Sequence, residues 1–232
     1  MNNVTSMSVV LPAFNEEQNI ANTLSTCLEF LNKRTKNYEV IVVDDGSGDD
    51  TSGKVQELRV ANSNIILKKH EINLGYGQAL KTGLESASKD YIFFMDSDGQ
   101  FDIYDLGNFI PEISESSIVI GYRYNRADPF IRKLNKSLYD LYLKTVFGLR
   151  VKDVDCAFKI FPRNAYLKVR PIKSDGAFFS AELLMKFIKK GYLIKEIPVN
   201  HYPRKFGNQS GDNIKVILKM FVASSKMILN RL

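Results

Sequence analysis

Short apolar runs recur through the first 121 residues of the chain. Each run is rich in β-branched side chains and is followed by polar or turn-forming residues. Runs of this kind are typical of strands that are buried on both faces of a sheet. The pattern predicts strands at 8–11, 39–43, 64–67, 91–95 and 117–121.

Helical segments are predicted between these strands, at 16–33, 50–61 and 75–88. Strands that alternate with helices predict an α/β fold, a mostly parallel sheet with right-handed crossovers and helices on both faces. In such sheets ligands bind beyond the carboxyl ends of the strands. Polar pairs or clusters follow three of the runs, so we expect them to meet in one crevice; they are Asn15-Glu16, Asp44-Asp45 and Asp96-Ser97-Asp98.

The second half of the chain contains two predicted helices that are both basic and amphipathic. They cover 128–148 and 212–231, and between them we expect a helix at 177–190 and a strand at 192–199. A basic amphipathic helix suits a membrane interface. It is equally consistent with packing against the domain or a second copy, with the lysines in solvent.

Charge divides the chain in the same place. Residues 1–121 hold nine Lys/Arg and 18 Asp/Glu, a balance of −9, whereas residues 122–232 hold 23 and eight, a balance of +15. An acidic half suits cation chemistry, and a basic half suits an anionic surface or substrate. No nucleic-acid recognition motif accompanies the basic charge, so nucleic acid is not an expected partner.

Composition and missing motifs exclude several classes of protein. Two cysteines and two histidines rule out a disulfide scaffold and a conventional zinc site, and both histidines are interpreted as structural or peripheral. The N-terminus lacks a signal-peptide pattern, and no apolar stretch reaches the roughly 18 residues of a spanning helix. We therefore expect an intracellular protein that is neither secreted nor integral. No P-loop sequence is present.

The polar clusters themselves have two interpretations. Asp96 and Asp98, two residues apart at a strand end, can place oxygens on a hard divalent cation that is paired with a substrate phosphate. They could instead form an Asx turn that caps the next helix. The segment 12–17 could likewise be a strand end with Asn15 as a helix cap, and the segment 44–47 only a turn.

Three motifs in order, VVLPAFNEE, VIVVDDGSGDDT and NLGYGQALKTGLESASKDYIFFMDSDGQ, resemble family 2 glycosyltransferases with the GT-A fold over residues 7–123. Three later segments, VKDVDCAFKIFPR, FFSAELLMKFIKKGY and PVNHYPRKFGNQSG, resemble the branch that makes polyprenyl-phosphate (dolichyl-phosphate-like) sugars. The resemblance implies one catalytic domain over 1–211, with a nucleotide-sugar half at 1–121 and an acceptor half at 122–211. An amphipathic helix would follow at 212–232.

The activity implied is inverting transfer of a sugar from a UDP- or GDP-linked donor to a polyprenyl phosphate, with Mg²⁺ or Mn²⁺. The enzyme would be cytoplasmic and peripheral on the cytoplasmic, anionic membrane face, and a homo-oligomer is an open alternative. Two other functions remain open: transfer to a glycan or protein hydroxyl, and a catalytically silent nucleotide-sugar-binding subunit.

The resemblance also assigns individual residues. Those implied to bind the nucleoside and the nucleotide sugar are Pro12, Ala13, Phe14, Glu16, Asp45, Asp96 and Ser97, with Asp44 held less firmly than Asp45. Those implied to hold the metal on the diphosphate are Asp96, Asp98 and Gln100. Those implied to contact phosphate are Arg123, Arg204 and Lys205. Asp155 is the implied acceptor base and, with Asp98 and Arg204, completes the catalytic set.

Overall fold

The computed structural model describes residues 6–35, 37–124, 130–174 and 178–207, together with Val4 and Gly176. For residues 130–137 it describes the backbone alone. The predicted helix at 212–231 lies outside the described residues.

The described residues form one seven-stranded sheet with helices between its strands. The strands are β1 (Ser6–Ala13), β2 (Asn37–Asp44), β3 (Ile65–Lys69), β4 (Tyr91–Met95), β5 (Ser117–Arg123), β6 (Phe158–Pro162) and β7 (Leu193–Val199). The α-helices are α1 (Ile20–Asn32), α2 (Thr51–Ala61), α3 (Tyr76–Ser86), α4 (Phe130–Phe147), α5 (Arg163–Val169) and α6 (Phe179–Lys189). Two 3₁₀ turns, Ile103–Asn108 and Ile110–Glu112, follow β4.

The sheet has the order β3-β2-β1-β4-β6-β5-β7. Its pairs are parallel except that β6 runs antiparallel to both β4 and β5. The expected α/β fold with a mostly parallel sheet is therefore confirmed. The strand β6 was not predicted, because its five residues include a lysine at position 159 that interrupts the apolar pattern.

The order of the strands reverses beside β1. The chain runs outward through β2 and β3, then returns to place β4 on the other side of β1. Right-handed crossovers put α1 and α2 on one face and α3 on the other. In agreement, α1 contacts α2, while α3 packs on β1 and β2. The carboxyl ends of β1 and β4 thus open at a topological switch point, where ligand sites of such sheets lie.

Over its described side chains, from residue 138 onward, the helix α4 packs against the core with one side only. Leu143 is buried, and Tyr139 and Tyr142 are partly buried against the core, whereas Leu138 and Leu141 are more than half exposed. Phe178 and Phe179, at the start of α6, are core residues. Within the described ranges, no helix has the length and apolar character that crossing a bilayer requires.

Candidate active site

The turn after β4 is joined to the end of β1 by a buried serine. Ser97 Oγ donates a hydrogen bond to the carbonyl of Pro12 at 2.7 Å, and Thr23 Oγ1 donates to the carbonyl of Ser97 at 3.0 Å. The side chain of Ser97 is therefore used to brace the turn that carries Asp96 and Asp98. This contact places the two predicted acids at the switch point between β1 and β4.

An arginine from the last described segment closes the crevice. Arg204 lies 2.6 Å from Glu16 Oε1 through NH2 and 3.2 Å from Asp98 Oδ2 through NH1, and its side chain is only 13% exposed. Asn19 Nδ2 donates to the other oxygen of Glu16 at 2.7 Å. The structure thus brings together three residues that the sequence assigned separately, to nucleoside, metal and phosphate.

Residues 200–207, which we call the cover segment, are attached to the same turn. Gln100 Nε2 donates to the carbonyl of Tyr202 at 2.9 Å, and the amide of Tyr202 donates to the carbonyl of Gln100 at 2.8 Å. Arg204 Nε also donates to the carbonyl of Phe206 at 2.6 Å. Lys205, the other predicted phosphate ligand, lies exposed in this segment.

The two acids after β4 repel one another in a poorly hydrated place. Burial first, and then the neighbouring Asp98 carboxylate, raise the pKa of Asp96 to about 7. Burial also raises the pKa of Asp98, although the Gln100 amide and the Arg204 guanidinium oppose this. Tyr76, at the start of α3, donates its hydroxyl to Asp96. Two close carboxylates with an amide side chain nearby are a fitting donor set for Mg²⁺ or Mn²⁺, because both cations prefer oxygen ligands.

The acids after β2 are engaged in loop hydrogen bonds. Asp44 accepts hydrogen bonds from the Ser47 amide and the Ser52 hydroxyl, and so closes its own turn. Asp45 accepts from the amides of Leu74 and Gly75 at 3.0 and 2.7 Å.

Asp45 also has a side-chain partner. Its Oδ1 lies 2.6 Å from His70 Nδ1, whose other nitrogen meets Thr82 Oγ1 at 2.9 Å. His70, expected to be structural or peripheral, is thus a direct partner of a predicted nucleoside-binding residue.

The end of β1 and the loop after it mix buried and exposed positions. Pro12 and Ala13, the last residues of β1, are buried, whereas Phe14, the next residue, is 41% exposed. Asn15 adopts a left-handed φ of 56°; its amide donates to Ser47 Oγ and its side chain accepts from the Gly48 amide. The loop after β1 and the loop after β2 therefore form one wall of the crevice.

The segment from 122 onward, predicted as the acceptor half, contributes a second charged group. Arg123 Nε and NH2 donate to the two oxygens of Asp153 at 2.7 and 2.8 Å. Asp155, two residues further on, is exposed. The structure thus holds Arg123, a predicted phosphate ligand, in a two-point ion pair that the sequence did not reveal. One signal pointed towards it, the repeated acids of the segment DVD.

Comparison with known proteins agrees with this architecture. Residues 8–170 match the description "Glycosyl transferase family 2", so the chain belongs to that family. It is 29% identical over 215 residues to a dolichyl-phosphate beta-glucosyltransferase of Dictyostelium discoideum, covering 84% of this chain and 65% of the relative. It is 27% identical over 206 residues to a dodecaprenyl-phosphate galacturonate synthase of Rhizobium johnstonii, covering 87% and 60%. The chain thus spans less than two thirds of both relatives.

A solved structure gives the fold. The glucosyl-3-phosphoglycerate synthase of Mycobacterium tuberculosis, crystallised with Mn²⁺, uridine diphosphate and glucosyl-3-phosphoglycerate, superposes with a TM-score of 0.67 and 20% identity. The likeness covers 97% of this chain and 77% of that one. The expected GT-A fold is confirmed.

Proposed function

We propose that the chain transfers a sugar, with inversion, from a nucleoside-diphosphate sugar to a polyprenyl phosphate. One observation carries the proposal: the partly buried acids after β4 share the switch-point crevice with Arg204, which is bonded to both Asp98 and Glu16. Carboxylates for a cation beside a largely buried guanidinium are the groups that a diphosphate leaving group requires.

The donor side depends on charge that develops late in the reaction. As the bond between the anomeric carbon and the diphosphate oxygen breaks, negative charge grows on the diphosphate. Asp96, Asp98 and the Gln100 amide oxygen would hold a divalent cation, which when bound neutralises part of that charge. Arg204 and Lys205 donate to the diphosphate oxygens more strongly as the charge grows, and this difference accelerates the reaction. Glu16, Phe14 and Asp45 hold the nucleoside of the UDP- or GDP-linked sugar.

The acceptor side needs orientation more than proton removal. A phosphate monoester is largely ionised near pH 7, and its oxygen can attack the anomeric carbon from the face opposite the diphosphate. Asp155 then orients the acceptor, whereas for a hydroxyl acceptor it would have to accept a proton.

A groove on the acceptor half favours the lipid phosphate over a glycan or protein hydroxyl. It has a volume of about 430 Å³ and lies between α4 and the segment that leads into Asp153. Its walls combine three cations, three apolar residues and two acids: Lys144, Arg150, Lys152, Leu141, Leu149, Val151, Asp140 and Glu196. A polyprenyl phosphate pairs an anionic head with an apolar chain. The names of the two relatives support the same acceptor class.

The same side of the molecule would face the membrane. Exposed Leu138 and Leu141 lie on α4 beside the exposed Lys144. A basic residue near anionic lipid contributes about 1 kcal/mol. We therefore place the enzyme on the cytoplasmic membrane face as a peripheral protein.

The test is transfer by the full chain. Labelled UDP- and GDP-sugars are supplied with Mn²⁺ or Mg²⁺ and a short polyprenyl phosphate, and label is measured in the organic phase. We expect lipid-linked label from one donor, lost in Asp98→Ala but kept in the control Asp102→Asn, whose side chain accepts from the Tyr104 amide. Label only in a glycan or protein would support the hydroxyl acceptor, and no donor consumption with any acceptor would support a silent binder.

A further inference from the structure

The strand β6 carries a lysine inside the core of the sheet. Lys159 is 0% exposed, and within the described residues it is the only lysine or arginine that is buried. Its neighbours in the sheet are Phe94 on β4 and Ile120 on β5. Burial lowers the pKa of its ammonium, and the nearby Asp153 and Asp155 oppose that effect. A buried cation is unfavourable unless its donors are satisfied, so its partners show what it is for.

The partners are two carbonyls in the loop that leads into β6. Lys159 Nζ donates to the carbonyl of Val154 at 3.0 Å and to the carbonyl of Cys156. These two residues flank Asp155, the proposed acceptor-orienting acid. The ammonium also lies 5.4 Å from the centre of the Phe94 ring, within the range of a cation–π interaction.

Other contacts fix the two ends of the loop that Lys159 binds. Asp153, at its start, is tied to Arg123 by two hydrogen bonds. At its end, Cys156 packs over β5, where a β-carbon at Gly121 would lie 3.1 Å from Cys156 Sγ. The backbone on both sides of Asp155 is thus fixed, while the Asp155 side chain is exposed.

We propose that Lys159 is a positioning residue for sugar transfer, which holds the carbonyls of Val154 and Cys156 so that Asp155 stays aimed at the acceptor. The inference rests on the proposed function. Hydrogen bonds from a charged donor are about twice as strong as those between neutral groups. The strand β6 that carries the lysine is paired on both edges, with β4 and β5. The lysine therefore links the loop to the rigid sheet and limits the motion of Asp155, although the Asp155 side chain is exposed.

The main variant is Lys159→Met, which keeps the length of the side chain and removes the ammonium. The matched control is Lys195→Met on β7, because Lys195 Nζ also donates to a backbone carbonyl, that of Glu112, at 2.9 Å. With saturating donor, we expect kcat for transfer to fall about 100-fold in Lys159→Met, the loss typical of a misplacement near 1 Å. The donor KM should stay at its wild-type value, and Lys195→Met should transfer normally.

A structural role alone would give a different result in a double-mutant cycle. If Lys159 acts through Asp155, adding Lys159→Met to Asp155→Asn should reduce kcat by no more than about twofold further. Equal loss in both backgrounds, normal transfer by Lys159→Met, or full activity of Asp155→Asn would each overturn the inference.

Folding and the acceptor are checked separately. Lys159→Gln, which keeps a neutral N–H donor, is the second variant if Lys159→Met does not fold. Failure of both to fold would show a requirement of the fold instead and overturn the inference. If the wild-type chain transfers nothing to polyprenyl phosphate, the proposed function fails. Hydrogen exchange of the amides at 155–157 then tests whether Lys159 holds the loop. Faster exchange in Lys159→Met would support this role, and unchanged exchange would refute it.

Discussion

Arg204 offers the sharpest test of the crevice, because one guanidinium contacts acids from two different strand ends. Its bonds reach Glu16 at 2.6 Å and Asp98 at 3.2 Å, and a third goes to the Phe206 carbonyl. We consider the substitution Arg204→Leu, which keeps much of the apolar stem and removes all three bonds.

The expected magnitude follows from what Arg204 stabilises. Removing one donor aimed at developing negative charge reduces kcat by about 100- to 1,000-fold, or roughly 2.7–4 kcal/mol. In the free enzyme the substitution leaves Glu16 and Asp98 without their cation, and the pKa of both carboxyls should rise further. Arg204→Lys should recover only part of the activity, because a single ammonium cannot form the forked contact to two carboxylates.

The assay is steady-state transfer with the donor varied, alongside calorimetric binding of UDP or GDP in Mn²⁺. The matched control is Arg163→Leu, because Arg163 Nε donates to the Ala87 carbonyl at 2.7 Å, away from the acids of the crevice. If Arg204→Leu transferred sugar within twofold of wild type, the assignment of this guanidinium to the leaving group would be refuted.

Three further predictions concern metal, pH and packing. A ligand at 100 times its dissociation constant stabilises a protein by roughly 2.7 kcal/mol, and Asp98→Ala should lose the Mn²⁺-dependent part of that gain in a thermal-shift assay with nucleotide. Burial raises the pKa of Glu182, but hydrogen bonds from Ser174 and the Lys173 amide outweigh it, so the folded-state pKa lies below the usual 4.5. The stability that Glu182 contributes is therefore present above the unfolded-state pKa and lost as pH falls through the folded-state pKa; Glu182→Gln should lower Tm at pH 7 and flatten its decline at acid pH. Gly83 packs its backbone against β1 so closely that a β-carbon would overlap Val10 Cγ1. Gly83→Ala should therefore lower the free energy of unfolding, measured by urea titration, by about 1–3 kcal/mol. The control Ser63→Ala, at an exposed position, should leave it unchanged.

Each of the five strands predicted in the first 121 residues contains an uninterrupted apolar run of at least three side chains. β1, β2 and β4 follow this pattern, and the acids at their ends are the ones that the sequence assigned to the crevice. β6 does not, because Lys159 satisfies its charge through carbonyls of its own connecting loop. Apolar periodicity cannot report such a compensation, since it depends on a contact formed only in three dimensions.

In the candidate site, too, some features could be predicted from the sequence and others could not. The positions of Asp96 and Asp98 follow from the end of a strand, and sequence is sufficient to find them. Partners such as Glu16 with Arg204 are separated by 188 residues, and His70 with Asp45 by 25. Without a fold, the chain does not indicate that Arg204 will meet Glu16 or that His70 will meet Asp45.

These partnerships bear on how the donor binds. Arg204 is bonded to Glu16 and Asp98, Arg123 to Asp153, and Lys159 to two carbonyls. A diphosphate that pairs with Arg204 therefore competes with two carboxylates already in contact with it. The free energy gained on binding is the difference between the bonds of Arg204 to the diphosphate and its bonds to the carboxylates. If Asp98 holds a divalent cation as proposed, it would gain a new partner when the guanidinium turns to phosphate, and the difference would change. Cation and nucleotide should accordingly bind with positive coupling: Mn²⁺ tightens UDP or GDP binding, and the nucleotide tightens Mn²⁺ binding by the same factor. Calorimetric titrations in both orders measure this factor, and equal affinities with and without the partner would contradict the exchange.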